Sequence, residues 1–597
     1  MKRPSASSLV ILLVVLVSAT ISVRSVWMSA DGTGWKSIVR SDVKGYYGYL
    51  QALFVRHDLG HEPDQWEYVR HTPTGTLNKY FCGTSVMMAP WFAVGRQLAL
   101  MDPDAPRDGL SSYELKAIGV GAWVYLLLGL FAMRGLVLGM GARDAVVAWT
   151  IVAIGLGTQL LQFTTFQPGW SHIYSFATIS GFLLVVHRLG VGAPLRWAIV
   201  AAALFGLIVL IRPVNGLVIL ALPIVLGPGS MPLLRRLSME RTILLSAVLV
   251  GALVVALQPI LWYAQTGGWF AYGYTGEGFH WNRPEVFKVL FGFRRGLFLW
   301  APVLLLFIIG TLRWLLTDRF RGVAMVLYFA TNVYVISTWW IWYYGSGFGA
   351  RVFIDHYPVM VIPIALLLND LSSRWWAVTR FYIAGCVALL ALQMFQYNVQ
   401  ILHHESMDRA KYLHTFLRWG DEYRNQLGGN YRTAPFNPNG MDVVVEESCD
   451  LERHCTHWSG GGIAPSEHAF SGGNAVVFSD SLEYGLTFAT APDELPSGRE
   501  LYLEVGLQRF EQESGDSQSM LGVTDVVHAD GSHGYYELFN MNPMPGKAAT
   551  WEQLEYRIAV PELDPGDRLL FYFWNKDRDA RVLIDDVFMR VSAVRPY

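Results

Sequence analysis

Long uncharged runs constrain this chain more than any other feature, because they crowd into its first two thirds and stop at about residue 402. A helix that crosses a bilayer needs roughly 20 mainly apolar residues. Candidate stretches lie at residues 6–23, 115–138, 145–165, 172–187, 196–211, 214–231, 242–263, 296–316, 322–341, 357–369 and 381–401. The sequence therefore predicts about eleven transmembrane helices, several of them short. Composition agrees: 52% of residues are hydrophobic and 16% charged, against about 25% charged in ordinary soluble proteins. A net charge of −2 with scattered Lys and Arg argues against a nucleic-acid partner, which needs a concentrated basic surface.

Met1-Lys2-Arg3 precedes the first run, which reads as a retained helix because no small-x-small cleavage site follows it. With the N-terminus cytoplasmic, the inner turns hold Arg134 and Arg143; Arg188 and Arg196; Arg235, Arg236 and Arg241; Arg313, Arg319 and Arg321; and Arg374 and Arg380. Every inner turn is then basic, as short cytoplasmic loops are. An odd number of crossings delivers the C-terminal part to the periplasmic side, and the expected location is the inner (plasma) membrane. Residues 81–100 are moderately apolar but contain Gly83, Pro90, Gly95 and Arg96, so they read as an interfacial helix on the outer leaflet.

Beyond about residue 430 the pattern changes to short alternating runs at 474–478, 500–507, 551–560, 568–574 and 581–591, separated by Gly, Pro and Asp. This predicts an all-β sandwich of jelly-roll type. The expected organisation is a membrane part over 1–401, a connector over 402–439 and an extracytoplasmic sandwich over 440–597. Cys82 and Cys386 fall in apolar segments, while Cys449 and Cys455 lie close together in the polar part. The latter pair is expected to form a disulfide in an oxidising compartment.

The predicted outer segments, 27–114, 167–172, 265–295 and 339–357, are rich in Trp, Tyr, Gly and His. The first contains Ser41-Asp42-Val43-Lys44-Gly45-Tyr46-Tyr47. Asp42 suits a general base taking a proton from a hydroxyl, and it equally suits a helix cap. Glu277, in a Gly-rich loop, is a second acidic candidate. Lys79, Arg212, Arg294, Arg295 and Arg351 fall at outer ends of spans, where they suit phosphate oxygens or snorkel to headgroups. Tyr46, Tyr47, His172 and His356 are candidate contacts to a sugar or acceptor. No tetrahedral zinc spacing is visible.

The first-loop Asp42 with its Tyr-rich helix, the segment Asn78-Lys79-Tyr80-Phe81-Cys82-Gly83 through Ala89-Pro90-Trp91-Phe92, and the late loop Tyr344-Gly345-Ser346-Gly347-Phe348-Gly349-Ala350-Arg351 resemble the GT-C superfamily of polyprenyl-phosphate-sugar glycosyltransferases. Its members include protein O-mannosyltransferases and aminoarabinose transferases. The resemblance covers roughly residues 1–400. It implies inverting transfer of a sugar from a polyprenyl-phosphate donor to an extracytoplasmic glycan, lipid or protein, with Asp42 as general base. The transfer would be metal-independent or weakly metal-dependent, which leaves a divalent cation open and names no other cofactor. Several members carry an Asp-Glu pair where this chain has Asp42-Val43, which leaves the second acidic role open, with Glu277 its best candidate. The sandwich resembles carbohydrate-binding jelly rolls at Phe470-Ser471-Gly472-Gly473-Asn474-Ala475 and Leu583-Ile584-Asp585-Asp586-Val587. Two other classes stay open: a transporter or flippase of lipid-linked glycans, and a noncatalytic envelope protein that binds polysaccharide.

Overall fold

The computed structural model describes residues 5–62, 68–274, 277–429 and 441–595. The Met1-Lys2-Arg3 triplet and residues 430–439 of the expected connector lie outside them. The chain divides into two compact units, Met1–Met394 and Phe395–Tyr597.

In the first unit, α1 (Ala6–Ser22) starts where the Ser5 hydroxyl accepts from the Ser8 amide, relieving one of the unpaired N–H groups at a helix start. Next come α2 (Asp42–Gln51), a hairpin of β1 (Val69–Thr72) and β2 (Gly75–Asn78), and α3 (Gly83–Met101). Ser111 and Glu114 cap each other reciprocally at the start of α4 (Ser112–Gly139). Glu114 also takes Arg96 of α3 at 3.2 Å, which ties the two helices together. α5 (Asp144–Leu156), α6 (Leu160–Thr165), α7 (Ser171–Gly190) and α8 (Trp197–Ile211) follow.

Among the described residues, eight helical segments are long and apolar enough to cross a membrane. Three shorter apolar helices, Asp144–Leu156, Trp197–Ile211 and Pro302–Thr317, accompany them. Helical segments occupy every stretch predicted as a span, but 296–316 breaks at Ala301 between Leu297–Trp300 and the 3-10 turn Pro302–Leu304, and a second stretch is broken too. Residues 145–165 form α5 and α6 in place of one helix, because the ladder breaks at Gly157, Thr158 and Gln159. There the Thr158 hydroxyl bonds back to the Ile154 carbonyl and the Gln159 amide donates to the Trp300 carbonyl at 2.9 Å. Such side-chain bonds to backbone compete with the helix ladder.

The unit is apolar outside as well as in. The helix Arg241–Thr266 is almost wholly exposed, whereas the segment Arg351–Asn369 is almost wholly buried. Leu245, Val248, Leu249 and Leu253 are exposed along the former, an apolar stripe that lipid solvates and water does not. The chain is a polytopic helical membrane protein. α3 is a helix as expected, contains Pro90 and packs on α4.

The second unit carries β3 (Met441–Cys449), β4 (Trp458–Gly460), β5 (Ile463–Pro465), β6 (Asn474–Val477), β7 (Tyr484–Ala489), β8 (Leu501–Glu511), β9 (Met520–Val527), β10 (His533–Asn540), β11 (Thr550–Val560), β12 (Arg568–Asn575) and β13 (Val582–Val594). One sheet runs β10-β9-β12-β7-β4 and the other β11-β8-β13-β6-β5, with β3 also paired to β13. Alternate residues Leu501, Leu503, Val505 and Leu507 of β8 meet Leu569, Phe571 and Phe573 of β12 in one core. This is the period-2 pattern of a sheet with one buried face. The sandwich is the jelly roll that the sequence predicts. Cys449 and Cys455 are disulfide-bonded with Cα atoms 5.9 Å apart.

Two residues past that bridge, His457 joins two carboxylates, with Nδ1 3.1 Å from Glu447 and Nε2 2.7 Å from Glu494. Burial disfavours the charged ring, but Glu494 and then Glu447 outweigh it and raise its pKa. A raised imidazole pKa stabilises the fold fully below the unfolded value of about 6.5, and the gain is lost as pH rises through the folded pKa. The thermal midpoint of the β-sheet signal in the full chain is therefore expected to fall as pH rises from about 6 to 8, and His457→Gln to flatten that slope. An equal slope in the variant would contradict the assignment.

Candidate active site

α2 opens on Asp42, and Ser41 before it is held at φ +51°, ψ −135°. A non-glycine residue there costs about 1–3 kcal/mol, a strain that concentrates at functional sites. Asp42 is the first helical residue, placing its carboxylate at the positive end of the helix dipole. Tyr80 donates to Asp42 Oδ1 at 2.9 Å. Arg351 Nη2 lies 3.5 Å from Oδ2, the Asp42 side chain being 30% exposed and that of Arg351 9%. Two groups separated by 309 positions in sequence thus meet, one from the first loop and one from the last.

Arg351 is held by its own loop. Nη1 donates to the Ser346 carbonyl at 2.5 Å and Nη2 to the Tyr344 carbonyl at 2.6 Å, and its guanidinium lies 4.0 Å over the Trp170 ring. Glycine makes the loop's curl affordable at Gly349, whose φ is +57° and whose missing Cβ leaves room for the Gln159 amide. A Cβ on Gly347 would come within 2.9 Å of Arg351 and 3.0 Å of Arg295, so both cations flank this loop.

A second cluster lies beside the first. His172, at the start of α7, has Nδ1 2.9 Å from Asp355 Oδ1. Arg212, in the turn after α8, has Nη1 3.7 Å from Asp355 Oδ2 and 3.4 Å from His172 Nδ1. Asn215 donates to Asp355 at 2.8 Å and to Ser175 at 3.0 Å. Tyr46 joins the clusters, since its phenol feels Asp42, Arg212 and Arg351 together. Burial first, then the Asp42 charge, push its pKa up to about 12. Burial also raises Tyr80 and Tyr274 above the ordinary phenol value, again with Asp42 contributing. These phenols stay protonated at neutral pH, and Tyr80 donates to Asp42.

Glu277 and Lys79 pair with each other at 2.9 Å, and Arg70 lies 3.9 Å from the same carboxylate oxygen. Lys79 also lies 5.2 Å from the Tyr80 ring and 5.7 Å from the Tyr274 ring, so this pair borders the Asp42 cluster. Arg294 stacks on Tyr343 at 3.3 Å, and Arg295 is buried. His356 bonds the Tyr328 hydroxyl at 2.8 Å. Tyr47 is fully buried, bonds the Gly109 carbonyl at 2.6 Å and packs edge-on against Phe92. It holds α2 in place and faces away from its neighbour Tyr46.

Sequence reasoning left Tyr80, Trp170, Asn215, Tyr274 and Asp355 without roles. Each lies next to or close by a residue it singled out, but the contacts that give them roles reach as far as the 183 positions between His172 and Asp355. Among the described residues, the group able to hold a metal is His528, Asp564 and Asp567 of the sandwich, with ligand atoms within 4.8 Å of one another.

No known family's sequence pattern matches the chain, and no curated protein matches it. Among solved structures it is similar to ArnT from Cupriavidus metallidurans in the apo state, at 16% identity and TM-score 0.40, covering 64% of each chain. It is also similar to the archaeal oligosaccharyltransferase AglB from Archaeoglobus fulgidus in complex with an inhibitory peptide and a dolichol-phosphate, at 13% identity and TM-score 0.34, covering 64% of this chain and 54% of that one. The chain thus spans less than two thirds of the length of these two. A third likeness is to the CBM22-1 xylan-binding domain of Paenibacillus barcinonensis Xyn10C, at 15% identity and TM-score 0.19, covering 26% of this chain and 97% of that domain.

The loop geometry makes one position diagnostic. A Cβ at Gly349 would approach Gln159 Nε2 to 2.6 Å from a positive-φ backbone, and Gln159 itself ties Trp300 to Tyr357. Gly349→Ala is expected to cost about 1–3 kcal/mol, read as a lower thermal midpoint of the full chain in detergent. An unchanged midpoint would contradict the packing described.

Proposed function

We propose that the chain is a membrane glycosyltransferase that moves a sugar from a polyprenyl-phosphate donor to a glycan, lipid or protein acceptor on the outer face of the inner membrane. The reading is carried by one observation: a partly exposed carboxylate, Asp42, 3.5 Å from the buried guanidinium of Arg351. An acceptor hydroxyl attacks the anomeric carbon, the bond from that carbon to the phosphate oxygen breaks, and the hydroxyl proton passes to Asp42. The lipid phosphate leaves with one more negative charge than it had in the diester. Arg351 and Arg212 are the cations placed to meet that charge, and preset cations at a developing charge are a major source of catalysis. Tyr46 and Tyr80 supply hydroxyl donors beside them.

Glu277 has Lys79 at 2.9 Å, so it suits holding Lys79 in the wall of the site better than accepting a proton. The transporter reading asks for ionisable groups midway along the spans. His172 and Asp355 instead stand at the starts of the helical segments Ser171–Gly190 and Arg351–Asn369, which favours a site at one membrane face. Exposed Tyr484 and Tyr536, with Tyr572 and Trp574 beside them on the five-stranded sheet, suit stacking on sugar rings. That face is the part of the sandwich we assign to glycan.

A positioned general base contributes about 10²–10⁴-fold. With radiolabelled polyprenyl-phosphate sugars as donors, purified Asp42→Asn is expected to lose at least about a hundredfold in kcat while still binding donor. Full transfer by the variant would remove Asp42 from the chemistry, and no transfer by wild type from any donor would remove the reading.

A further inference from the structure

Asp355 is fully buried, yet nothing in the transfer step needs it as an acid or base. A second carboxylate next to a site that binds an anion is electrostatically unfavourable for that anion, because like charges repel strongly where water is excluded. Its contacts supply a different reason for its presence. Oδ1 takes the Nδ1 proton of His172 at 2.9 Å, and Oδ2 takes an amide proton of Asn215 at 2.8 Å with Arg212 3.7 Å away. Three segments therefore converge on one side chain: the first turn of α7, the turn following α8, and the short 3-10 segment Arg351–His356 that also carries Arg351.

We propose that Asp355 is the positioning residue of the donor-phosphate site, fixing Arg212 and His172 at a set distance from Arg351 so that a lipid phosphate meets a preformed cation pair. This rests on the glycosyltransferase reading above. The link is mechanical. Arg351 and Asp355 lie four residues apart in one buried segment, and Asp355 connects that segment to Arg212. Asn215 acts through Asp355, since its amide also bonds Ser175 of α7 at 3.0 Å and so sets which way the carboxylate faces. The Arg212 N–H closes α8 on the Ile208 carbonyl at 3.1 Å, but the backbone then turns extended at φ −151°, ψ 113°, so side-chain anchoring decides where its guanidinium sits.

Charge counting and positioning make opposite predictions, and this separates them. Removing a negative charge from an anion site tightens anion binding if only the charge matters. If Asp355 positions the cations, Asp355→Asn weakens it. The probe is farnesyl phosphate, titrated calorimetrically into the detergent-purified full chain. Expected are a Kd about tenfold higher for Asp355→Asn, a Kd unchanged or lower for Asp42→Asn, and a several-fold rise for Asn215→Ala, which leaves every charge in place. Turnover should show the same split, with KM for the polyprenyl-phosphate sugar raised several-fold in Asn215→Ala and kcat within about threefold of wild type. If Asp355→Asn fails to fold, Asn215→Ala decides. Binding by Asp355→Asn as tight as wild type, or unchanged binding by Asn215→Ala, overturns the positioning role while leaving the glycosyltransferase reading standing. Absence of binding by wild type overturns that reading and this inference with it.

Discussion

The Asp42–Arg351 ion pair is the contact on which the rest of the membrane unit depends. Charges held away from water are costly unless they are paired and hydrogen-bonded, and the unit is arranged so that these are. Tyr80 completes the Asp42 carboxylate, and the Ser346 and Tyr344 carbonyls complete the Arg351 guanidinium. To bring the two together, the first loop must end on strained Ser41 and the last must curl through Gly349. The break between α5 and α6 serves the same end, because it frees Gln159 to pack against Gly349 and to tie Trp300 to Tyr357.

Much of the fold was legible because both periodicities are strong. Apolar runs marked the helices, and residue alternation marked β8, β11, β12 and β13 to within a few residues. The α5–α6 break was not legible, since Gly157-Thr158-Gln159 reads as three more uncharged residues of a span and only a partner at Trp300 reveals the polar turn. The jelly roll followed from strand spacing, and the Cys449–Cys455 bridge from proximity in sequence.

The site was legible in part. Asp42, Arg212, Arg351, His172 and Tyr46 were all singled out, and the structure brings them together. What linear sequence could not supply was pairing. Tyr46 and Tyr47 look equivalent in a row, but a helix turns about 100° per residue, so one faces Asp42 and the other Phe92. Glu277 reads in the sequence as a second acidic candidate for the chemistry, but its partner Lys79 lies 198 positions away. Asp355 was visible only as a neighbour of His356, and its partners come from α7 and the turn after α8. A polar residue's role is set by what faces it, and composition does not carry that information.

The most direct test is a cryo-EM structure of the full chain in nanodiscs with a bound polyprenyl phosphate. The account predicts phosphate oxygens within hydrogen-bond distance of the Arg351 guanidinium, with Arg212 on the same headgroup and the Asp42 carboxylate open to the space beside it. A phosphate seated elsewhere, with Asp42 and Arg351 still closed on each other, would contradict it.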